Sequence, residues 1–147
     1  MSDDEREAFL ADQRVVSVAS HGHNGWPHLV PLWYVVRDGE LWIYTYGSSQ
    51  KVKNLERDDH ATLLIEDGRE YTELRGVMIE ATAHIEREFD RVLELAEELT
   101  LRYADGLESI DADAREGLKT QARKRVAIRF EARRTVSWDH RKLGGTY

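Results

Sequence analysis

The chain has 147 residues, 41% hydrophobic and 33% charged, the scale of a single globular domain with a substantial core. Its formal net charge of −7 argues against a nonspecific nucleic-acid or anionic-membrane binder, since either needs a basic surface. The absence of cysteine excludes disulfides, thiolate catalysis and cysteine-ligated metals, and no apolar run approaches the roughly 18 residues that span a bilayer. The acidic start, MSDDERE, carries no apolar h-region, so a cytoplasmic protein is expected.

Residues 4–11 predict a short helix with Phe9 and Leu10 as apolar contacts, and 14–20 a β-branched strand. His21 to Gly25 predicts a turn, with Asn24-Gly25 the strongest part of the signal. Leu29–Val36 and Leu41–Tyr46 follow as strands around Asp38-Gly39, residues that tolerate the positive φ of a two-residue hairpin turn. Gly47-Ser48-Ser49 then breaks the strand and offers an N-cap for a helix over 48–57, with Lys51 and Lys53 in its first turns. A fourth strand over 60–66 leads to a second hairpin signal at Asp67-Gly68. Residues 71–85 read as a long strand with a bulge or bend at Arg75-Gly76.

The period changes at residue 88. Phe89, Val92, Leu93, Ala96, Leu99 and Tyr103 recur at helical spacing, with acidic residues between them. The polar, acidic stretch 104–120 is expected to be a loop with a weak helix from about Ala112. In the last strand Val126, Ile128, Phe130 and Ala132 alternate with charged residues, a parity that reaches Val136 and Trp138. The polar, basic tail 139–147 is expected to be flexible. Many antiparallel strands with short turns and few helices predict a mainly-β fold. The expected architecture is a small barrel of about six antiparallel strands in one domain over 1–147, with an N-terminal helix (1–12) and a helical insertion (88–120).

A helix start with free N–H groups, the Ser49 hydroxyl and the ammonium groups of Lys51 and Lys53 suits a phosphate. Val30-Pro31-Leu32-Trp33 offers an apolar wall for a planar ring. Pro31 has no N–H, so it belongs on an edge or bulge, where a ligand can bond backbone that the sheet leaves unpaired. Thr45 and Asn54 are candidates for further hydrogen bonds. No metal site is expected, because His21 and His23 sit in a Gly-rich turn without a third ligand at useful spacing. His60 and His84 fall in strands and read as structural, and Glu94, Glu97 and Glu98 as a solvated helix face.

Together with the element order, the stretches PHLVPLW (27–33), DGELWIYT (38–45), SQKVKNL (49–55), GVMIEA (76–81) and SWDHRK (137–142) carry a family likeness. The chain resembles the FMN-binding split-barrel superfamily, which contains the pyridoxamine 5′-phosphate oxidases and their deazaflavin-dependent relatives. The resemblance implies a split β-barrel homodimer with each cofactor at the subunit interface. In the oxidases an Arg and a Lys on the strand before the hairpin hold the FMN phosphate; the matching positions here are His28 and Trp33. The oxidase Ser-Arg-Lys helix start becomes Ser49-Gln50-Lys51, so three of the four phosphate cations are replaced. The pattern is closer to the branch that uses coenzyme F420, in which a Pro stands in the strand that lines the ring, at the position of Pro31, and a Lys-x-Lys/Arg-Asn-Leu helix start is common.

That likeness implies hydride transfer between reduced F420 and a small conjugated organic acceptor. An FMN-dependent oxidase-like enzyme and a non-catalytic flavin- or haem-binding module are the alternatives. The implied cofactor contacts are His28, Val30, Pro31, Leu32, Trp33, Thr45, Ser49, Lys51, Lys53 and Asn54. Arg75 is a candidate to bridge the dimer or reach the cofactor tail, although an ion pair with a nearby Glu is the favoured reading, and Trp138 and His140 are candidates to reach the neighbouring subunit's site. No catalytic side chain is called for, since hydride chemistry belongs to the cofactor; His28 and His140 are candidate proton donors.

Overall fold

The computed structural model describes residues 1–104 and 106–144. Six strands close into an antiparallel barrel: β1 (Val15–His21), β2 (Pro27–Arg37), β3 (Glu40–Tyr46), β4 (His60–Asp67), β5 (Arg75–Glu86) and β6 (Arg125–Asp139). Their order around the barrel is β1-β2-β3-β6-β5-β4, with β4 pairing back onto β1. The helices are α1 (Asp3–Asp12), α2 (Gln50–Arg57), α3 (Phe89–Tyr103) and α4 (Ala112–Ala122). Among the described residues no helix is long and apolar enough to cross a membrane.

Alternation fills the barrel. Val16, Val18, Ile43, Leu63, Ile65, Val77, Ile128 and Phe130 point inward and are shut away from solvent. The β2–β3 turn is tight because Asp38 and Gly39 both take positive φ, 52° and 78°. Helix α2 plugs one end of the barrel with Val52 and Leu55. Helices α3 and α4 lie outside it, where Leu95, Leu99 and Ala122 pack on Val35 and Ala127.

The barrel is split beside β2. That strand pairs with β1 along 27–33 but with β3 only along 34–37. Backbone N–H and C=O groups alternate in direction along a strand. Those of Tyr34 turn toward Arg14, just beyond the end of β1, where the Tyr103 hydroxyl accepts from the Tyr34 N–H at 3.1 Å and lies 2.7 Å from both the Arg14 and Tyr34 carbonyls. The N–H and C=O of Leu29 and the C=O of Pro31 therefore turn toward the split, where the strand is not paired with β3. Pro31 sits on a free edge, as its missing N–H requires.

Several local expectations change. Asp67-Gly68 does not close a two-residue hairpin: a single 3₁₀ turn at Tyr71–Glu73, closed by a reciprocal Glu70–Glu73 cap, lengthens the loop, so β5 starts at Arg75. The sheet irregularity is at Glu80/Ala81, where β6 carries Arg133 as an extra residue, rather than at Arg75-Gly76. That bulge reverses the parity of β6. Val136 pairs with Met78 and Trp138 with Gly76 on the outer face, while the buried Val77 faces Ser137. The weak helix at 112 is a full α4, capped by the Asp111 carboxylate accepting from the Ala114 N–H. Of the tail, Asp139 ends β6, His140–Lys142 forms a 3₁₀ turn, and residues 145–147 lie outside the described residues.

Candidate functional site

The phosphate candidates gather at the barrel end closed by α2. Ser49 caps that helix by position, yet its hydroxyl makes no capping bond; the oxygen is shut off from water with no partner among the described residues. His28 pairs with Ser20 and shares its inward face, and Ser20 accepts from the Asn54 side chain of α2. The His28 Nδ1 is likewise buried and unpartnered. Unmade hydrogen bonds of this kind cost about 1–3 kcal/mol each, so both positions favour a polar guest.

Lys51 is half-buried and donates to the buried Thr45 hydroxyl at 2.9 Å. Burial holds its ammonium below the ordinary lysine pKa, so an anion placed there would be a welcome partner. Lys53 is exposed. Asn54 has no exposed surface: its amide donates to Ser20 at 3.2 Å and accepts from Gln50 at 2.8 Å, which ties α2 to β1. This end thus brings together one half-buried cation, a helix N-terminus and two orphan polar atoms, groups that could hold an anion.

Of the expected ring wall, Leu29, Pro31 and Trp33 face outward and Val30 and Leu32 inward. Trp33 is 59% exposed and stacks on Tyr103, with ring centroids 4.6 Å apart. Pro31, Leu32 and Trp33 form one side of a cavity of about 540 Å³ whose other side is α3 and α4, through Ala96, Leu99 and Leu118. The cavity also takes in Tyr44 and Arg125, which the expected cofactor contacts did not include. No sequence signal marked them as a site: the pairing of β3 with β6 sets them side by side, and the cavity in front of them forms only when α3 and α4 fold over that face.

Arg75, Trp138 and His140 form a separate group. Arg75 pairs with Asp67 at 2.7 Å and lies over the Phe9 ring. The His140 ring bonds the Tyr71 carbonyl at 2.9 Å. Helix α2 meets β5 near Ala83, whose N–H donates to the Asp59 carbonyl, while Arg75 starts that strand. Eight residues of strand are about 26 Å, so one chain does not bring this group to Lys51. Trp138 lies flat against Gly76, where a Cβ would fall 2.4 Å from the indole. Gly76→Ala is therefore expected to displace Trp138 and to change the near-UV circular dichroism as Trp138→Phe does. An unchanged spectrum would show that the strand shifts instead.

His21 and His60, read as a solvated turn and a strand residue, share one carboxylate. Asp58 accepts from the two rings at 2.6 and 2.7 Å, which holds its carboxyl below the usual range and raises His60. Their sequence separation hid this contact.

The family model described as pyridoxamine 5′-phosphate oxidase matches residues 2–139. The conserved hypothetical protein Rv2991 from Mycobacterium tuberculosis is 39% identical in structural alignment, with a TM-score of 0.89 over 100% of this chain and 90% of that one. An F420 reductase superposes with a TM-score of 0.66 at 18% identity, covering 88% of this chain and 94% of that one. HutZ, the haem storage protein of Vibrio cholerae, reaches 0.70 at 13% identity over 93% of each chain. The last two likenesses are of fold alone. No curated protein matches the chain in sequence.

Proposed function

The chain belongs to the pyridoxamine 5′-phosphate oxidase family, and from that premise we propose that it is a cytoplasmic F420-dependent oxidoreductase acting on a small conjugated acceptor. The observation that carries this reading is the split beside β2, a free strand edge and an apolar wall; the half-buried Lys51 and the unpartnered Ser49 and His28 atoms at the α2-closed end support it. The deazaflavin would supply the hydride chemistry. Ser49, His28 and Lys51, with Lys53 at the rim, would hold its phosphate; the wall from Val30 to Trp33 would orient its ring and exclude water. One lysine in place of four cations favours F420 over FMN, whose family site is richer in positive charge.

A homodimer fits the outer face of the barrel. Trp33, Val15, Leu29 and Val136 are 59%, 47%, 64% and 36% exposed. They belong to a continuous stripe that runs through Pro31, Leu64 and Met78 by strand register. Pairing two such faces would also give Arg75, Trp138 and His140 access to the other subunit's site.

Two measurements test the reading. Reduced F420 and a panel of quinone and enone acceptors are expected to give steady turnover with the protein; binding without turnover of any acceptor would favour the non-catalytic module. Cofactor affinity is also expected to fall as pH rises, and to do so earlier than for an ordinary lysine. The sign follows from linkage: the anion binds the protonated Lys51, and burial has lowered the pH at which that proton leaves. The alkaline fall should disappear in Lys51→Ala; if it persists there, another group anchors the phosphate.

A further inference from the structure

The cavity between the barrel and the α3–α4 pair holds a cation that the rest of the chain leaves unanswered. Most arginines on the outer surface of the barrel and of α3–α4 meet a carboxylate. Arg37 meets Glu98, Arg115 meets Glu97, and Arg129 holds both oxygens of Glu40 at 2.9 Å. Arg125 lies four residues before Arg129 on β6, so both side chains fall on the outer face. Yet it makes no ion pair and no hydrogen bond among the described residues, and its Nε is buried without a partner. Only rings hold it: its guanidinium lies 4.7 Å from the Tyr44 ring centroid and 4.3 Å from that of Tyr46. The Tyr44 hydroxyl, lining the same cavity, is also buried and unpartnered, and the apolar surroundings raise its pKa so that it stays a donor.

We propose that this cavity binds a small flat organic acid, with its carboxylate on Arg125 and Tyr44 and its unsaturated body between Trp33 and the α3–α4 wall. A guanidinium fork fits a carboxylate through two parallel hydrogen bonds, and a phenol adds a third donor. The rest of the lining is mostly apolar, with Pro31, Ala96, Leu99 and Leu118 around Trp33 and Thr100 and Gln121 as its polar members, and suits a conjugated hydrocarbon body rather than a string of polar groups. On the reading above this acid is the hydride acceptor, which would take a hydride from the reduced cofactor at one carbon of its double bond and a proton from water at the other, since the cavity shares Pro31 and Trp33 with the expected ring wall. Its binding site consists of this chain's residues alone, so it can be tested without cofactor.

The experiment is calorimetric titration of the cofactor-free protein with trans-cinnamate, its neutral amide and tri-glutamate. Cinnamate is expected to bind roughly tenfold or more tightly than the amide, as a charge-assisted bond implies, and tri-glutamate weakly. Arg125→Gln should abolish that preference and Tyr44→Phe should reduce it. Gln121→Trp, an exposed rim position, should block cinnamate by filling the cavity while the melting temperature holds, a control that does not depend on how Arg125→Gln folds. Equal affinity for acid and amide, no cinnamate binding at millimolar concentration, or an acid preference that survives Arg125→Gln would overturn the proposal. Tri-glutamate binding as tightly as cinnamate would overturn it too, by making the cavity a site for an acidic tail. Failure of F420 to bind would leave these results untouched and would count only against the redox reading.

Discussion

Tyr103→Phe is expected to destabilise the protein by about 2–4 kcal/mol, out of proportion to the single oxygen removed. The hydroxyl stands where β1 has ended but β2 continues. It accepts from the Tyr34 N–H and donates to one of two carbonyls, Arg14 or Tyr34, each 2.7 Å away. Phenylalanine would leave a buried donor and a buried acceptor unpaired, at about 1–3 kcal/mol each. The ring, and with it the stack on Trp33, would remain, so the variant isolates the hydrogen bonds. Urea unfolding with an unchanged slope would measure the loss. A change below about 1 kcal/mol would mean that water enters beside Tyr34 and takes over the hydroxyl's bonds.

Lys51→Ala is expected to weaken cofactor binding by about 1.5–3 kcal/mol, the range for a hydrogen bond to a charged group, or roughly ten- to a hundredfold in Kd. The fold should hardly respond. In the free protein the ammonium has one neutral partner, Thr45, and is itself disfavoured by burial, so the melting temperature without cofactor should move little. Unchanged affinity together with a large fall in melting temperature would place Lys51 in the scaffold and not in the phosphate site. The two variants thus separate the frame of the split from the proposed phosphate site at its end.

The parts of this structure that were legible in the sequence are those fixed by neighbours. Asp38-Gly39 makes its turn because both residues accept positive φ locally, and α3 shows its buried face in the spacing from Val92 to Tyr103. Pro31 announced a free edge because a missing N–H can sit in few places. What stayed hidden depends on distant partners. Ala132-Arg133-Arg134 carries no glycine or proline to flag a bulge, yet one extra residue against β5 turns Val136 and Trp138 outward. The bond from the Asn54 amide to Ser20 spans 34 residues, and nothing near Asn54 in the sequence points to it. Arg125 read as an outward charge on an alternating strand; its cavity exists only because α3 and α4 pack over Tyr44.

The most direct measurement of the central claim is a fluorescence-polarisation titration of the purified, cofactor-free protein with coenzyme F420 and, separately, with FMN. A phosphate site built on Lys51, Ser49 and His28 beside the open edge of β2 predicts micromolar or tighter binding of F420 and weaker binding of FMN. The reverse preference would contradict the deazaflavin assignment and return the protein to the FMN branch. Binding of neither would leave the barrel standing and remove the redox function.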